Sequence, residues 1–504
     1  MKKLLYSIAS VLFFGTALVS CSDDEIVSDG GSITLEQALE PSEIDIALEA
    51  SADEPASKAA IKSNSGAFST DNLGVFMLAM EYINTADIPY WGAAMGMDCS
   101  WYRDPKQTKD SQTYNYTYGY TAFLDNLKAT AQPKDSSKPA SGSSINLGTG
   151  IVDKYPIGSF HRYNFYAYTP RVPKIEYRRD SVTAIMTDLD GTQDVIYSAA
   201  IPGDKYNKIN TTYKDYAWSA NYFRFAQNRT GNSKDEALES KTPNFHFTHK
   251  MSQLMFSIQP GGVDKKGNPV DEASKTSALN YDKALETEIV GISICNVPDS
   301  VFLLVAERAG LHNGNIRYSS ENRSKEFFLK SYIGKKVGNR TIYYPDQMME
   351  AQTLSTEEVP VVDEEGEPVL DKKGKQVTEE VPVVNKLGGP DDDHRQGIIL
   401  PALTNEDRKT IDGSYIAKFV VRYPRSSEDA KYYTINIPLY SDPENPNMQF
   451  EEGCSYELKF RIYGPNNVQS AGVQENNKWY EVDVDDLRES GNYNIPEEDT
   501  TAGN

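Results

Sequence analysis

The first apolar run opens the chain. Lys2 and Lys3 precede "LLYSIASVLFFGTALV", which is apolar or small throughout. A basic start, a short apolar stretch and small residues at its exit make the pattern of a secretory signal. A spanning helix needs about 20 apolar residues; this run is shorter, and no later run is long enough. Polar residues then dominate: "SDDEIVSDGGSITLEQALEPS" reads as a flexible tether. The next pattern has period two. Ile44, Ile46 and Leu48 alternate with Asp45 and Ala47, the mark of a strand with one face in a core. A polar loop, "EASADEPASKAAIKSNSG", follows with Lys58 and Lys62 in it.

Short apolar or alternating runs then recur. They are "NLGVFMLAM" (72–80), "YNYTYGYTAF" (114–123), "YNFYAYTP" (163–170), "DVIYSAA" (194–200) and "NFHFTHKMSQLMFSIQP" (244–260). Further on come "ETEIVGISICNVP" (286–298), "SYIAKFVVRYP" (414–424), "KYYTINIPLY" (431–440) and "GCSYELKFRIYG" (453–464). Gly, Pro, Asn and Asp separate them, as turn chemistry requires. Periodicity of 3.6 is scarce. The pattern predicts an all-β chain made of two β-sandwich domains. A Gly-rich, charged break at 260–285, "PGGVDKKGNPVDEASKTSALNYDKA", divides them. The expected organisation is a signal at 1–20, a tether at 21–42, an N-terminal domain at 43–262, a C-terminal domain at 285–490 and a polar tail at 491–504.

One segment within 355–390 reads as an insertion. Glu-Glu-Val-Pro-Val-Val stands at both ends of 357–386, and "DEEGEPV" and "DKKGKQV" lie between; "DKKGNPV" occurs earlier, at 264–270. Asp-x-x-Gly suits a tight turn with Gly at positive φ, so two such turns predict a protruding hairpin arm. The ligand spacing of a calcium-binding hand is missing. "PDDDHR" (390–395) reads as a solvated loop.

Composition narrows the function. Lys and Arg number 51 against 73 Asp and Glu, a net charge of −22, which excludes nucleic acid as a main partner. The chain has 32 Tyr and only 5 His, which fits strands better than metal or acid–base chemistry. The cysteines are Cys21, Cys99, Cys295 and Cys454, with no CxxC pair for a thiolate zinc site. No Gly-x-Ser-x-Gly, His-Glu-x-x-His or phosphate loop occurs. His246 and His249, three apart on a strand, fall on opposite faces, one expected buried and the other exposed. The reading is a non-enzyme without metal or cofactor.

Leu18-Val19-Ser20-Cys21 resembles a bacterial lipobox, in which Cys21 carries the lipid (palmitate among its acyl chains) and the signal is removed before it. "SDDE" after it is similar to the export signal of surface lipoproteins of the Bacteroidota. Taken in order, further blocks resemble the fimbrillin family, the type V pilus subunits of that phylum. They are the strand at 44–48, "SKAAIK", "FSTDNLGVFML", "YNFYAYTP", "DVIYSA", "FHFTHKMSQLMFSI", "GISICNVP", "GIILPAL" and "YELKFRIYG" with Trp479. The resemblance spans roughly 43–490 apart from the insertions.

It implies two fimbrillin-like sandwiches of transthyretin-like Greek-key topology on a lipidated tether. It also implies a surface-exposed outer-membrane lipoprotein of a fimbrium, whose partners are other pilus subunits, the membrane, and a host or bacterial surface ligand. Cleavage after the first strand would remove Ile44, Ile46 and Leu48 and open a groove for a neighbour's strand, a form of β-augmentation. Lys58 and Lys62 are the candidate cut sites, where the family's best-known pattern has Arg. The acidic tail offers only Tyr480, Val482 and Val484 in alternation, a weak donor strand, which suggests a tip, cap or anchor. Asp180-Ser181-Val182 and Asp299-Ser300-Val301 resemble an O-glycosylation acceptor of the phylum. The alternative is a surface lipoprotein that does not polymerise and binds a glycan or host ligand through its tyrosines.

Overall fold

The computed structural model describes residues 41–52, 70–82, 89–90, 122–134, 142–148, 154–156, 162–178, 181–209, 217–220, 222–223, 242–268, 270, 279–307, 310–337, 340–363, 365–388, 397–403, 407, 413–439, 450–465 and 480–484. The signal-like segment, Cys21, Lys58, Lys62, Cys99, most of the Tyr-rich run at 114–123, the loop at 390–395, Trp479 and the tail beyond residue 484 lie outside the described residues.

The described chain is all-β, with only a few helical residues. Its first strands are β1 (Pro41–Asp45), β2 (Leu48–Ala52), β3 (Thr70–Tyr82), β4 (Pro89–Tyr90), β5 (Ala122–Pro133) and β6 (Ser143–Asn146). Then come β7 (Lys154–Pro156), β8 (Arg162–Thr169), β9 (Ile175–Tyr177), β10 (Ser181–Met186), β11 (Ile196–Ala200) and β12 (Asn244–His249). One sheet runs β4-β3-β5-β6-β2-β12-β11-β8, and β8 pairs back onto β3. The sheet therefore closes on itself, and its two halves face each other across a core. Leu73, Val75 and Met77 of β3, Tyr163, Phe165 and Ala167 of β8, Phe245 and Phe247 of β12, and Trp218 fill that core.

The alternate residues explain why "NLGVFMLAM" has no polar partner positions. Phe76, Leu78, Tyr166, Tyr168 and Tyr197 point out of the closed sheet, yet they are buried in a second core. A strand covered on both faces reads as a continuous apolar run.

The rest of the chain holds β13 (Met251–Pro260), α1 (Asp282–Leu285), β14 (Glu288–Val297), β15 (Val301–Glu307), β16 (Ile316–Tyr318) and β17 (Lys325–Phe328). These are followed by β18 (Lys330–Val337), β19 (Arg340–Met348), β20 (Gln352–Thr353), β21 (Thr356–Pro360), β22 (Thr378–Pro382) and β23 (Asn385–Leu387). The last are β24 (Ile398–Pro401), β25 (Tyr415–Tyr423), β26 (Lys431–Leu439), β27 (Ser455–Ile462) and β28 (Tyr480–Val484). Sheet β23-β13-β27-β28, with β24 also on β13, faces sheet β17-β14-β25-β26, with β20 on β14. Phe419 of β25 meets Phe460 of β27 edge-on at 4.7 Å between them.

Two pairings cross the break at 260–285. β13, assigned from sequence to the N-terminal domain, runs parallel to β27 from Gln253↔Ser455 to Pro260↔Ile462. β10 pairs with β15 from Ser181↔Glu307 to Met186↔Val301. The sheet β16-β15-β10-β9 covers the outer face of the closed sheet, and Tyr197 Oη donates to the Val305 carbonyl at 2.7 Å. The chain changes sheets at Lys250, where no Gly or Pro marks the switch.

The arm forms as its turns predict. β21 and β22 pair from Thr356↔Pro382 to Pro360↔Thr378, and Gly366 and Gly374 have φ of 83° and 74°. A second hairpin, β18–β19, stands as a two-stranded sheet of its own.

Candidate functional site

β2 is the strand that closes the N-terminal sheet. It lies antiparallel to β6, with Leu48↔Ile145, Glu49↔Ser144 and Ala50↔Ser143. On its other side it lies parallel to β12, from Glu49↔Asn244 to Ala52↔Phe247. Glu49 N also donates to the Pro243 carbonyl at 3.0 Å. β1 continues upstream and pairs with β7, with a register shift between Pro41 and Asp45. The predicted single strand at 44–48 is thus two strands, joined through Ile46 and Ala47.

The alternation runs further than the sequence reading took it. Ser42, Ile44, Ile46, Leu48 and Ala50 are buried, while Glu43, Asp45 and Ala47 are exposed. Ile44, Ile46 and Leu48 all face the core, at 8%, 7% and 3% exposure. Each such side chain contributes about 1.5–3 kcal/mol when buried. Lys154 pairs with Asp45 and Lys134 with Glu49, each at 2.7 Å and each solvent-exposed. Exposed pairs add at most about 1 kcal/mol, so packing and ladder bonds hold the segment.

Taking β2 out of this arrangement leaves β6 and β12 each short of one neighbour. It also uncovers core residues on both sides, among them Ile145, Phe245 and Phe247. Lys58 and Lys62 follow β2 in the chain and precede β3, outside the described residues. The sequence reading missed β12 as the partner, although Phe245 and Phe247 alternate in "NFHF". Long-range pairing leaves no local trace.

Other groups singled out from sequence have structural surroundings. His246 and His249 do lie on opposite faces of β12, but both are half-buried, where one was expected exposed. The His246 ring stacks on Tyr206 with centroids 3.9 Å apart, and His249 Nδ1 hydrogen-bonds the buried Asp194 carboxylate. Neighbours distant in sequence cover them. Neither Cys295 nor Cys454 is in a disulfide, and the Cys454 thiol lies 3.6 Å from the Glu452 carbonyl. Burial, with the Glu326 carboxylate nearby, pushes the Cys295 thiol above its ordinary value. Among the described residues no cluster of His, Cys, Asp and Glu could hold a metal ion.

At the opposite wall of the closed sheet, two quoted motifs meet. Gly74 of "NLGVF" lies against Tyr168 of "YNFYAYTP". Tyr168 Oη donates to Asn126 Oδ1 at 2.9 Å, and Arg171 Nε donates to the Asn126 carbonyl at 2.7 Å. Burial pushes the Tyr168 phenol up to about 12.

No protein-family model matches the chain, and no curated protein does. Solved structures do. One is described as a candidate cell adhesion protein of Bacteroides uniformis. It is 13% identical with a TM-score of 0.35, covering 89% of this chain and 100% of that one. A second such protein, from Bacteroides eggerthii, is 8% identical with a TM-score of 0.31, covering 88% and 95%. The fimbrial anchor protein Mfa2 from Porphyromonas gingivalis is 7% identical with a TM-score of 0.24, covering 83% and 90%.

Proposed function

We propose that the chain is a structural component of a cell-surface fimbrium, either a subunit or an accessory tip, cap or anchor, and that it supports adhesion. In this reading the lipid on Cys21 holds it in the outer membrane, and it joins other pilus subunits by exchange of its first strand. The observation that carries the reading is the place of β2. It is an N-terminal strand that closes the sheet, with Leu48 and Ala50 in the core and β6 and β12 as its two neighbours. A strand from another subunit would recover the same ladder bonds and fill the same pockets. Until then β2 covers an edge that would otherwise pair at random.

The chain's last described strand favours the accessory roles. β28 pairs with β27 of its own sheet, from Tyr456↔Val484 to Phe460↔Tyr480. A strand used in this way is not free to serve a neighbour.

Trypsin under native conditions tests the proposal. A cut after Lys58 or Lys62, followed by loss of the 21–52 segment and by oligomers that melt on heating, is the expected result for a subunit. The same cut without oligomers is expected for a cap or anchor that needs another protein's strand. Resistance of the 53–69 segment would overturn strand exchange and favour a surface lipoprotein that binds a glycan or host ligand without polymerising.

A further inference from the structure

The arm carried by β21 and β22 is built on an internal repeat. "VVDEEGEP" is followed by "VLDKKGKQ" and then Val377, so Val361, Val369 and Val377 recur every eight residues. These three close a ring of main-chain bonds. Val369 N donates to the Val361 carbonyl at 2.9 Å, Val377 N to Val369 at 2.8 Å, and Val361 N to Val377 at 2.9 Å. Two turns hang from the ring, and they are built alike. Asp363 Oδ1 accepts from Glu365 N at 3.0 Å and Glu367 N at 2.9 Å. Asp371 Oδ1 accepts from Lys373 N at 2.8 Å and Lys375 N at 2.9 Å. The residue before each Asp is apolar and exposed: Val362 at 54% and Leu370 at 58%.

The charges on the two turns are opposite. One turn presents Glu365 and Glu367; the other presents Lys372, Lys373 and Lys375, all exposed. Such a basic cluster stands out in a chain of net charge −22, whose copies repel one another in general. The legs add Glu357, Glu358, Glu379 and Glu380, also exposed.

We propose that the arm is a self-complementary docking element whose partner is a second copy of this chain. The acidic turn of one copy seats on the basic turn of the other, and the contact repeats with the roles exchanged. Val362 and Leu370 are then covered between the copies. Two turns of one geometry and opposite charge meet the requirement of a two-fold interface, in which the same patch serves both sides. Charge complementarity of this kind sets the choice of partner and the rate of encounter.

Sedimentation of the purified, uncut chain tests this without involving strand exchange, which needs a cut. The expected result is a dimer at low salt that weakens by about tenfold or more when salt shortens the screening length from about 14 Å to a few ångströms. Lys372→Glu with Lys373→Glu and Lys375→Glu is expected to give a monomer, as is Glu364→Lys with Glu365→Lys and Glu367→Lys, which reverses all three glutamates of the acidic turn. Both variants keep the Asp and Gly that shape the turns. Mixed one to one, they are expected to pair again, because one now carries two basic turns and the other two acidic ones. A monomer at every salt concentration would overturn the proposal. So would a dimer that ignores both charge reversals, or a mixture that stays monomeric.

Discussion

Gly74→Ala is a one-methyl test of how the closed sheet meets the rest of the protein. Gly74 pairs with Lys128 on one side and Tyr168 on the other. A Cβ there would lie 2.7 Å from Tyr168 Cε1 and 2.7 Å from Asn126 Oδ1. Ordinary contact begins near 3.4 Å, so a shift of about 0.7 Å is needed. Neither neighbour has room to retreat. Tyr168 is fully buried and Asn126 nearly so, at 0% and 6% exposure. Asn126 stands at φ 46° and its Nδ2 donates to the Val172 carbonyl at 2.7 Å. Overpacking of this kind costs about 1–3 kcal/mol. Losing the Tyr168–Asn126 hydrogen bond costs about 1 more. The entropy gained by replacing Gly offsets about 0.5–1 kcal/mol. The net expectation is a loss of about 1–3.5 kcal/mol, read as a lower urea midpoint from tryptophan fluorescence; Trp218 reports directly from the closed sheet's core. Tyr168→Leu removes the ring contact and leaves the one to Asn126 Oδ1, so Gly74→Ala should cost clearly less in that background without becoming neutral, the lost coupling being the share of the Tyr168 contact. An unchanged midpoint, or a cost undiminished in the Tyr168→Leu chain, would refute the steric account.

Two further outcomes follow from buried polar groups. Arg323 lies between the rings of Tyr318 and Tyr415, at 5.8 and 5.3 Å, with Asp407 at 3.8 Å and the Asn296 carbonyl at 2.8 Å. Arg323→Met leaves the Asp407 carboxylate without its cation and is expected to cost about 3–5 kcal/mol, less when Asp407→Asn is added; equal losses in both variants would refute the pairing. In alkali the sign follows from the tyrosines: Tyr168 rises from 10.0 to about 12 in the folded state. The unfolded chain releases that proton first, so this stabilisation is whole below pH 10 and is lost as pH climbs toward 12. Urea midpoints should fall over that range as tyrosinate absorbance rises, and a midpoint flat across it would contradict the burial.

The sequence was most legible where structure is local. Period two located the strands, and Asp-x-x-Gly located the turns of the arm with their glycines at positive φ. The same alternation put Ile44, Ile46 and Leu48 on the core side. What it could not give was pairing. Nothing in "EIDIALEA" says that β12, almost two hundred residues on, will lie parallel to it, and nothing in "THKMSQ" announces a change of sheet. The β18–β19 hairpin does carry a local signal, the turn chemistry of "VGNR" at 337–340. Half-burial of both histidines depends on Tyr206 and Asp194, groups that only the folded chain brings near.

The single-residue passage from β12 to β13 has a mechanical consequence. A strand seated where β2 now lies would run beside β12, and β12 continues through Lys250 directly into β13, the strand at the centre of the C-terminal sheet. Tension applied to that incoming strand would pass along one nearly continuous stretch of backbone, with no loop to pay out. Ladder bonds lie across the strands, so a pull along them loads the whole row at once in shear instead of peeling it bond by bond. A joint of that geometry yields at much higher force than its equilibrium affinity alone would suggest.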